Sequence, residues 1–302
     1  MPVSRRLLLA APVALAAVGR AMAATPITVA YAGSMGKLMD KGLNPAFTSS
    51  TGVPVHGIGQ AAVALAHLIT DGAMQPDVFV PVSAEAAQIV LKAGKAATAT
   101  PVASTSMVLA YSPSSKFAAQ FKAAQGGDWT KIFLDPGFRL GRTNPDVDPQ
   151  GRYVLFALQL AELYYKLPGF ADKVTGGAHN PAQIFAEPSL LTRLQAGQID
   201  ATLGYKSAVV SQKLPYIELP AEINLSDPAF AKSLYSQASL TVKGKGGKSK
   251  LVHPSPLIFY AMALKSAAQP EAAAKYVSFL TSPAGQALFK AYGYGPGMGG
   301  TL

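Results

Sequence analysis

From residue 27 the hydrophobic and polar positions keep switching between a two-residue and a helical rhythm. Ile27-Thr28-Val29-Ala30-Tyr31-Ala32 predicts a strand, and Gly33-Ser34 opens a helical stretch from Met35 toward Phe47. Val53 to Ile58 predicts a second strand, followed after Gly59-Gln60 by a helix over Ala61 to Ile69. Pro76 to Pro81 predicts a third strand, with Ser83 capping a helix over Ala84 to Ala93. Strand and helix alternating at this spacing means a parallel sheet with helices packed on its faces.

The rhythm then restarts. Ser106 to Tyr111 predicts a strand, 116–133 a mixed, mostly helical stretch, and Phe138 to Arg142 a short strand. The loop Asn144 to Gly151 leads into a long helix that runs to about Lys166 and stops at Leu167-Pro168-Gly169. Pro188 starts another helix that ends at Gly197. Ala201 to Tyr205 predicts a strand, Ser207 to Lys213 a helix, and Tyr216 to Leu219 a strand. Tyr235 to Val242 and Lys250 to Val252 read as the arms of a hairpin. Strand Leu257 to Leu264 and helices Pro270 to Leu280 and Pro283 to Ala291 complete the chain. Two α/β units and a return predict two lobes joined by two crossovers, with 25–105 and 255–302 in the first lobe and 106–254 in the second.

Composition narrows the function classes. The chain has 302 residues, too many for one compact core, and 49% of them are hydrophobic, so it folds. Residues 1–24 read as an export signal. Arg5-Arg6 precedes the apolar run Leu7 to Val18, which is too short to span a bilayer, and Ala21-Met22-Ala23 offers a cleavage site. The paired arginines, with Arg20 just before that site, favour twin-arginine export over the general secretory route. The expected mature protein is soluble and periplasmic. Arg5, Arg6 and Arg20 fall in the signal, so of the formal +10 charge about +7 remains, a bias that suits anionic ligands. Lysines and arginines are dispersed apart from Lys243, Lys245, Lys248 and Lys250, which argues against nucleic acid as a partner. The absence of cysteine excludes disulfides, thiolate metal sites and a lipid-bearing leader cysteine.

The candidate chemistry sits where strands hand over to helices. Ser34 follows the first strand, Gln60, Ala61 and Ala62 follow the second, Asp148-Pro149-Gln150 opens the long helix, and Glu187-Pro188 opens another. Helix starts carry unpaired N–H groups and the positive end of the helix dipole, and several aimed at one cleft make a cage for an anion. Each loop alone is equally an ordinary cap, Asp148 before Pro149 above all. Only convergence makes a site.

The segments Ala32-Gly33-Ser34, Pro76 to Glu85, Asn144 to Tyr153, Gln195 to Asp200, Gly204-Tyr205-Lys206-Ser207 and Tyr216 to Asp227 resemble the periplasmic molybdate/tungstate-binding proteins over about Ile27 to Gly295. The most specific parts are NPDVDPQGRY and YIELPAEINLSD. The resemblance implies an α/β, two-lobed periplasmic-binding-protein fold of type II character, closing on its ligand in a cleft between the lobes. It also implies a permease of the ABC class as membrane partner, no cofactor and a monomeric chain. Residue by residue, it implies an oxyanion contact from Ser34. Where the family has a second serine this chain has Gly59-Gln60-Ala61-Ala62, so the N–H of Ala61 or Ala62, or the Gln60 amide, takes that place. Further contacts are implied near Gln150 and Glu187 and from the Tyr205 hydroxyl. The archaeal branch adds two carboxylates that expand the metal to six-coordination. One falls at Asp146 or Asp148, but the other position is Gly204, which points to tetrahedral binding through hydrogen bonds.

Enzyme patterns are absent. There is no G-x-S-x-G motif, and Gly244 to Ser249 fails as a phosphate loop because the first required glycine is Val242. His56, His67, His179 and His253 lack metal-ligand spacing, and His67 reads as a packing residue on a helix. Arg139, Arg142 and Arg152 read as solvated or bridged to nearby acids, and Trp129 belongs to the second lobe. The expectation is a binding protein, not an enzyme. The alternatives are a binder of sulfate, phosphate, a phosphonate or ferric iron, and then a periplasmic enzyme acting on a phosphorylated or sulfated compound.

Overall fold

The computed structural model describes residues 24–124, 126–243 and 248–302. The expected export signal, apart from its last residue, and the glycine-rich hairpin tip with Lys245 lie outside them. The chain opens with β1 (Ile27–Ala32), then a continuous helical stretch. This stretch starts as a 3-10 turn over Gly33–Met35, continues as α1 (Gly36–Leu38), widens to a π turn over Met39–Leu43, and ends as α2 (Asn44–Thr51). The widening precedes Pro45, whose ring and missing N–H cannot continue a regular ladder. There follow β2 (Val55–Gln60), α3 (Ala62–Thr70), β3 (Val78–Val80), α4 (Ala84–Lys92) and β4 (Thr100–Ser104).

The second lobe holds β5 (Met107–Tyr111), α5 (Ala118–Ala123), α6 (Trp129–Phe133), α7 (Pro149–Tyr165), α8 (Phe170–Thr175), α9 (Glu187–Gln195), β6 (Ala201–Tyr205), α10 (Lys206–Ser211), β7 (Tyr216–Glu218), α11 (Ala221–Asn224) and the hairpin β8 (Leu240–Lys243) with β9 (Ser249–Val252). The chain returns through β10 (Ile258–Ala263), α12 (Pro270–Thr281), α13 (Pro283–Ala291) and β11 (Gly295–Pro296).

Two sheets carry the lobes. The first has order β11-β4-β10-β3-β1-β2, with β1 parallel to β2 and β3, and β10 antiparallel to β3 and β4. The expected parallel sheet is therefore mixed. β4, not anticipated from the pattern, lies between the two returning strands because its proline-bearing TPVAS run carries a weak strand signal. The second sheet is antiparallel, β6-β5-β7. Its central strand is buried on both faces. Met107, Leu109 and Tyr111 enter the main core of the second lobe, whereas Val108 and Ala110 enter a smaller one beneath α9 and α10. Each lobe thus has its own core, with Phe47, Phe79, Tyr276 and Phe289 in the first and Trp129, Phe156 and Leu203 in the second.

Several local expectations change. Ser83 makes no side-chain cap and holds φ +74° at the start of α4. Phe138 to Arg142 forms no strand. Only isolated bridges, Leu140 to Ala201 and Arg142 to Ile184, tie it to its neighbours. Backbone bonds from Gly141 to Ala201, from Arg142 to Gln183 and from Asp200 to Arg139 hold it, and side chains add to them. The buried Asp200 carboxylate accepts from the Ser115 hydroxyl (2.7 Å), the Arg139 N–H (2.9 Å), and the Arg139 Nε (3.0 Å) and Nη2 (2.9 Å). Tyr235–Gln237 is a 3-10 turn, so the hairpin arm begins only at Leu240. His67 is exposed. Trp129 is fully buried against Phe133, Tyr165 and Phe170, where its emission reports unfolding of the second lobe.

Burial pushes the Asp200 carboxyl up, but bonds from Arg139 and Ser115 outweigh it and hold the group below the usual carboxylate range. Because the folded value lies below the unfolded one, this stabilisation is present above about pH 4 and is lost as pH falls further. Asp200→Asn should lower stability at pH 7 by about 1.5–3 kcal/mol. Urea unfolding followed by Trp129 fluorescence measures this, and the gap to the natural chain should shrink toward pH 3.

Candidate functional site

The first-lobe half of the site follows from strand register. β1 and β2 run parallel with Ala32 opposite Gln60, so both strands end at the same level of the sheet. Their following turns lie side by side: a Cβ on Gly33 would fall 3.6 Å from the Gln60 carbonyl oxygen. Gly33, Ser34, Gln60 and Ala61 are all exposed at this carboxyl edge, and Ala62 sits just beneath. Neither the turn after Ala32 nor the start of α3 has a side-chain cap. An open α/β sheet offers ligands this kind of edge.

The second-lobe half is built on the loop from Thr143 to Tyr153, whose polar groups are largely spent on one another. The Asn144 side chain accepts from the Asp146 N–H (2.9 Å), and its carbonyl accepts from the Asp148 N–H (2.9 Å). Asp148 Oδ1 accepts from the Gln150 N–H (2.8 Å), the expected cap. The buried Gln150 side chain joins two elements. Its Oε1 accepts from the Thr143 N–H and hydroxyl (both 3.0 Å), and its Nε2 donates to the Leu203 carbonyl (2.8 Å) and toward Thr202 Oγ1 (3.3 Å). The Gly151 N–H donates to Thr143 Oγ1 (2.7 Å). Gly151 has to lack a side chain, since a Cβ would fall 2.2 Å from the Thr143 oxygen. Arg152 donates to the carbonyls of Pro145 and Asp146. Pro149 has no N–H, so the first turn of α7 is satisfied within the protein.

This loop holds Tyr205 in place. Gln150 grips the end of β6, and Tyr205, the last residue of that strand and half-buried, has its ring 6.0 Å from that of Tyr153. A cavity of about 310 Å³ lies against it, lined by Gln150, Leu190, Gly204, Tyr205 and Val209 among others. The first turn of α9, which follows Ala186 without a side-chain cap, flanks the same space through Leu190. Nothing is described of the Glu187 side chain.

The halves meet where the first lobe touches α10: Lys37 Nζ donates to the Ser211 carbonyl (3.1 Å), and Gly293 packs on Val210. The neighbouring Tyr294 hydroxyl donates to the Ser34 carbonyl oxygen at 3.4 Å, tying the turn before β11 to the turn after β1. Burial pushes this phenol up to about 12, so it is a neutral donor at ordinary pH. These contacts set the turn after β1, which lies beside Gln60, against the helix that begins after Tyr205. The α7 start is adjacent, but its Gln150 N–H is already paired. Lys37 and Tyr294 had no sequence signal beyond being a lysine shortly after the first strand and a tyrosine near the C-terminus.

The charged candidates are held elsewhere. The Asp146 carboxylate accepts from the Lys243 N–H (2.9 Å) and faces His179 Nε2 (3.0 Å), tying the loop to the β8 hairpin. That backbone bond, against a small burial effect and with His179 helping, holds its pKa below the ordinary value. Arg139 pairs with Asp200 as expected of a bridged arginine. Arg142 departs from expectation. It is fully buried and donates to three neutral oxygens, of Gln183 (3.1 Å), Ala178 (2.8 Å) and Gly177 (3.0 Å), and burial lowers it to about 10. Among the described residues no group of three or more His, Cys, Asp or Glu is placed to hold a metal ion.

Residues 27–295 match the profile of the bacterial extracellular solute-binding proteins. The chain belongs to that family. Among relatives of this solute-binding protein, a Haloferax volcanii protein named for molybdenum binding in an ABC transporter is 32% identical over 224 residues, covering 74% of this chain and 69% of that one. The Pyrococcus abyssi molybdate/tungstate-binding protein is 29% identical over 208 residues, covering 62% of this chain but only 59% of its own length. In three dimensions the solute-binding chain resembles the substrate-binding domain of a Clostridium difficile ABC transporter (TM-score 0.65, 19% identity, 91% of this chain and 100% of that one). It also resembles the Azotobacter vinelandii periplasmic molybdate-binding protein (TM-score 0.59, 18% identity, 89% and 98%). These identities establish the fold, that of a two-lobed periplasmic binding protein. No helix among the described residues is long and apolar enough to cross a membrane.

Gln150→Leu should cost about 2–3 kcal/mol, since it leaves the Thr143 N–H buried without a partner and removes the donor that ties α7 to the Leu203 carbonyl. Asp148→Ala should cost about 1 kcal/mol, the usual value of a cap. Urea unfolding of the two variants checks the ranking, which would reverse if the cap, and not the Gln150 bridge, held α7 to β6.

Proposed function

We propose that this protein is the extracytoplasmic receptor of an ABC importer for a tetrahedral oxoanion, molybdate or tungstate. The observation that carries the reading is the level ending of β1 and β2. It sets Ser34 and the uncapped start of α3 side by side at one edge of the first lobe. A fully ionised oxoanion has only acceptors, and hydroxyl and N–H donors replace its hydration shell without a counter-cation. The ligand contacts would be the Ser34 hydroxyl, the N–H of Ala61 or Ala62 or the Gln60 amide, the Tyr205 hydroxyl and the α9 start at Glu187. The α7 start contributes field and position; the Gln150 N–H becomes a contact only if Asp148 swings away.

The carboxylate positions support plain tetrahedral binding. Gly204 has no side chain, Asp146 is turned to Lys243 and His179, and Asp148 caps α7. The names of the Haloferax and Pyrococcus relatives support molybdate and tungstate as the ligand class. On this reading the chain is a monomer that catalyses no reaction, works in the periplasm and delivers its anion to a membrane permease. Its lobes divide near residues 105 and 255, where Thr105 N–H bonds to the Leu257 carbonyl.

Calorimetric titration with molybdate, tungstate, sulfate and phosphate tests the proposal. Molybdate and tungstate should bind at micromolar concentration or below, and at 100 times Kd should add about 2.7 kcal/mol to stability. Ser34→Ala should weaken molybdate binding by about 1–3 kcal/mol, and Tyr205→Phe by less. Unchanged affinity in both variants would place the anion elsewhere, and a preference for sulfate or phosphate would change the ligand.

A further inference from the structure

The first lobe grips the C-terminal end of the short helix α10 of the second lobe. The two gripping segments are tied to each other by the Tyr294 hydroxyl, which donates to the Ser34 carbonyl oxygen at 3.4 Å. On the helix, Val210 packs against Gly293. A Cβ on that glycine would fall 2.9 Å from the valine Cβ, and its φ of +82° also favours glycine. At its end, Lys37 Nζ donates to the Ser211 carbonyl at 3.1 Å. This places an ammonium at the negative end of the helix, where last-turn carbonyls lack partners.

These contacts come from only two first-lobe segments. Ser34 to Lys37 follows β1, and Gly293-Tyr294 precedes β11. The gripped helix begins directly after Tyr205. The segments that carry the candidate anion contacts therefore also carry the contacts between lobes, but through different atoms. Ser34 uses its backbone carbonyl toward Tyr294, leaving the hydroxyl for a ligand, and Lys37 points to Ser211.

We propose that Lys37 and the Gly293-Tyr294 turn form a latch on α10 that holds the two lobes together and sets how long the anion stays bound. The proposal rests on the reading that the lobes close over an oxoanion. Apparent affinity scales with the fraction of molecules in the closed, binding-competent form, so a latch away from the anion changes the affinity for every ligand by the same factor. A residue that touches the anion instead changes the preference between anions.

The chain has no cysteine, so a nitroxide pair can be placed at Lys92→Cys in the first lobe and Lys122→Cys in the second, both exposed. Pulsed electron resonance then gives the distance distribution between lobes with and without sodium molybdate, and stopped flow gives the release rate. Lys37→Ala and Tyr294→Phe should each shift the molybdate-free distribution away from that of the natural chain. They should speed molybdate release by about 3- to 10-fold while the molybdate-to-sulfate preference stays unchanged. Lys41→Ala, which removes the same charge from an exposed neighbouring position, should do neither. Lys37 is exposed, so its truncation keeps the test valid even if Tyr294→Phe does not fold. An unchanged molybdate-free distribution in Lys37→Ala and Tyr294→Phe would overturn the latch. Failure of the natural chain to bind molybdate would instead overturn the ligand assignment, and the molybdate-free comparison would still decide the latch.

Discussion

The N–H groups of a helix's first turn have no partner within the helix, so the chain or its surroundings must supply one. This protein treats its helix starts in two ways. At α7 the demand is met internally, by Asp148 Oδ1 for Gln150 and by Thr143 Oγ1 for Gly151, with proline at the first position. After β1 and at α3 no side chain caps the helix, and the level ending of β1 and β2 presents both starts at one exposed edge. That contrast is the constraint on which the proposed site depends. Donors without protein partners are offered on one side, and a rigid frame is built on the other.

The frame explains why the NPDVDPQGRY run is so distinctive. Its residues act mainly on each other, through the Asn144 turn, the Asp148 cap, the Gln150 bridge to β6, the close approach at Gly151 and the Arg152 clamp on the loop carbonyls. The product of this network is the placement of Tyr205. A motif can thus follow ligand chemistry closely without being its contact surface. The same economy appears where the lobes meet, since Tyr294 and Lys37 use first-lobe segments already committed to the ligand edge.

Much of the fold was legible because its signals are local. β1, α7, β6 and α13 have clean periodicity and unambiguous ends at Gly33, Asp148-Pro149, Tyr205 and Ser282-Pro283, and the two-lobed plan follows from their order. β4 was hidden because Thr100-Pro101 lowers its strand signal, and pairing with β10 and β11 decides it. Phe138 to Arg142 looked like a strand because Phe138 and Leu140 alternate with Arg139, yet Asp200 holds it without a ladder. In the candidate site, Ser34, Gln60 and Ala61 could be named from strand-to-helix transitions, and Ala62 and Tyr205 from the family resemblance. The internal pairing of Gln150, the turning of Asp146 toward the hairpin and the role of Tyr294 depend on contacts between residues 7 to 260 positions apart, which no local pattern records.

The central claim is that donors from both lobes, and not carboxylates or a bare cation, hold the anion in one crevice. A crystal structure of the protein grown with sodium molybdate tests it most directly. The account predicts a four-coordinate molybdenum between the lobes, its oxygens within hydrogen-bonding distance of the Ser34 hydroxyl, an N–H at the α3 start and the Tyr205 hydroxyl. Molybdenum bound through an Asp146 or Asp148 oxygen, or seated away from these three donors, would contradict it.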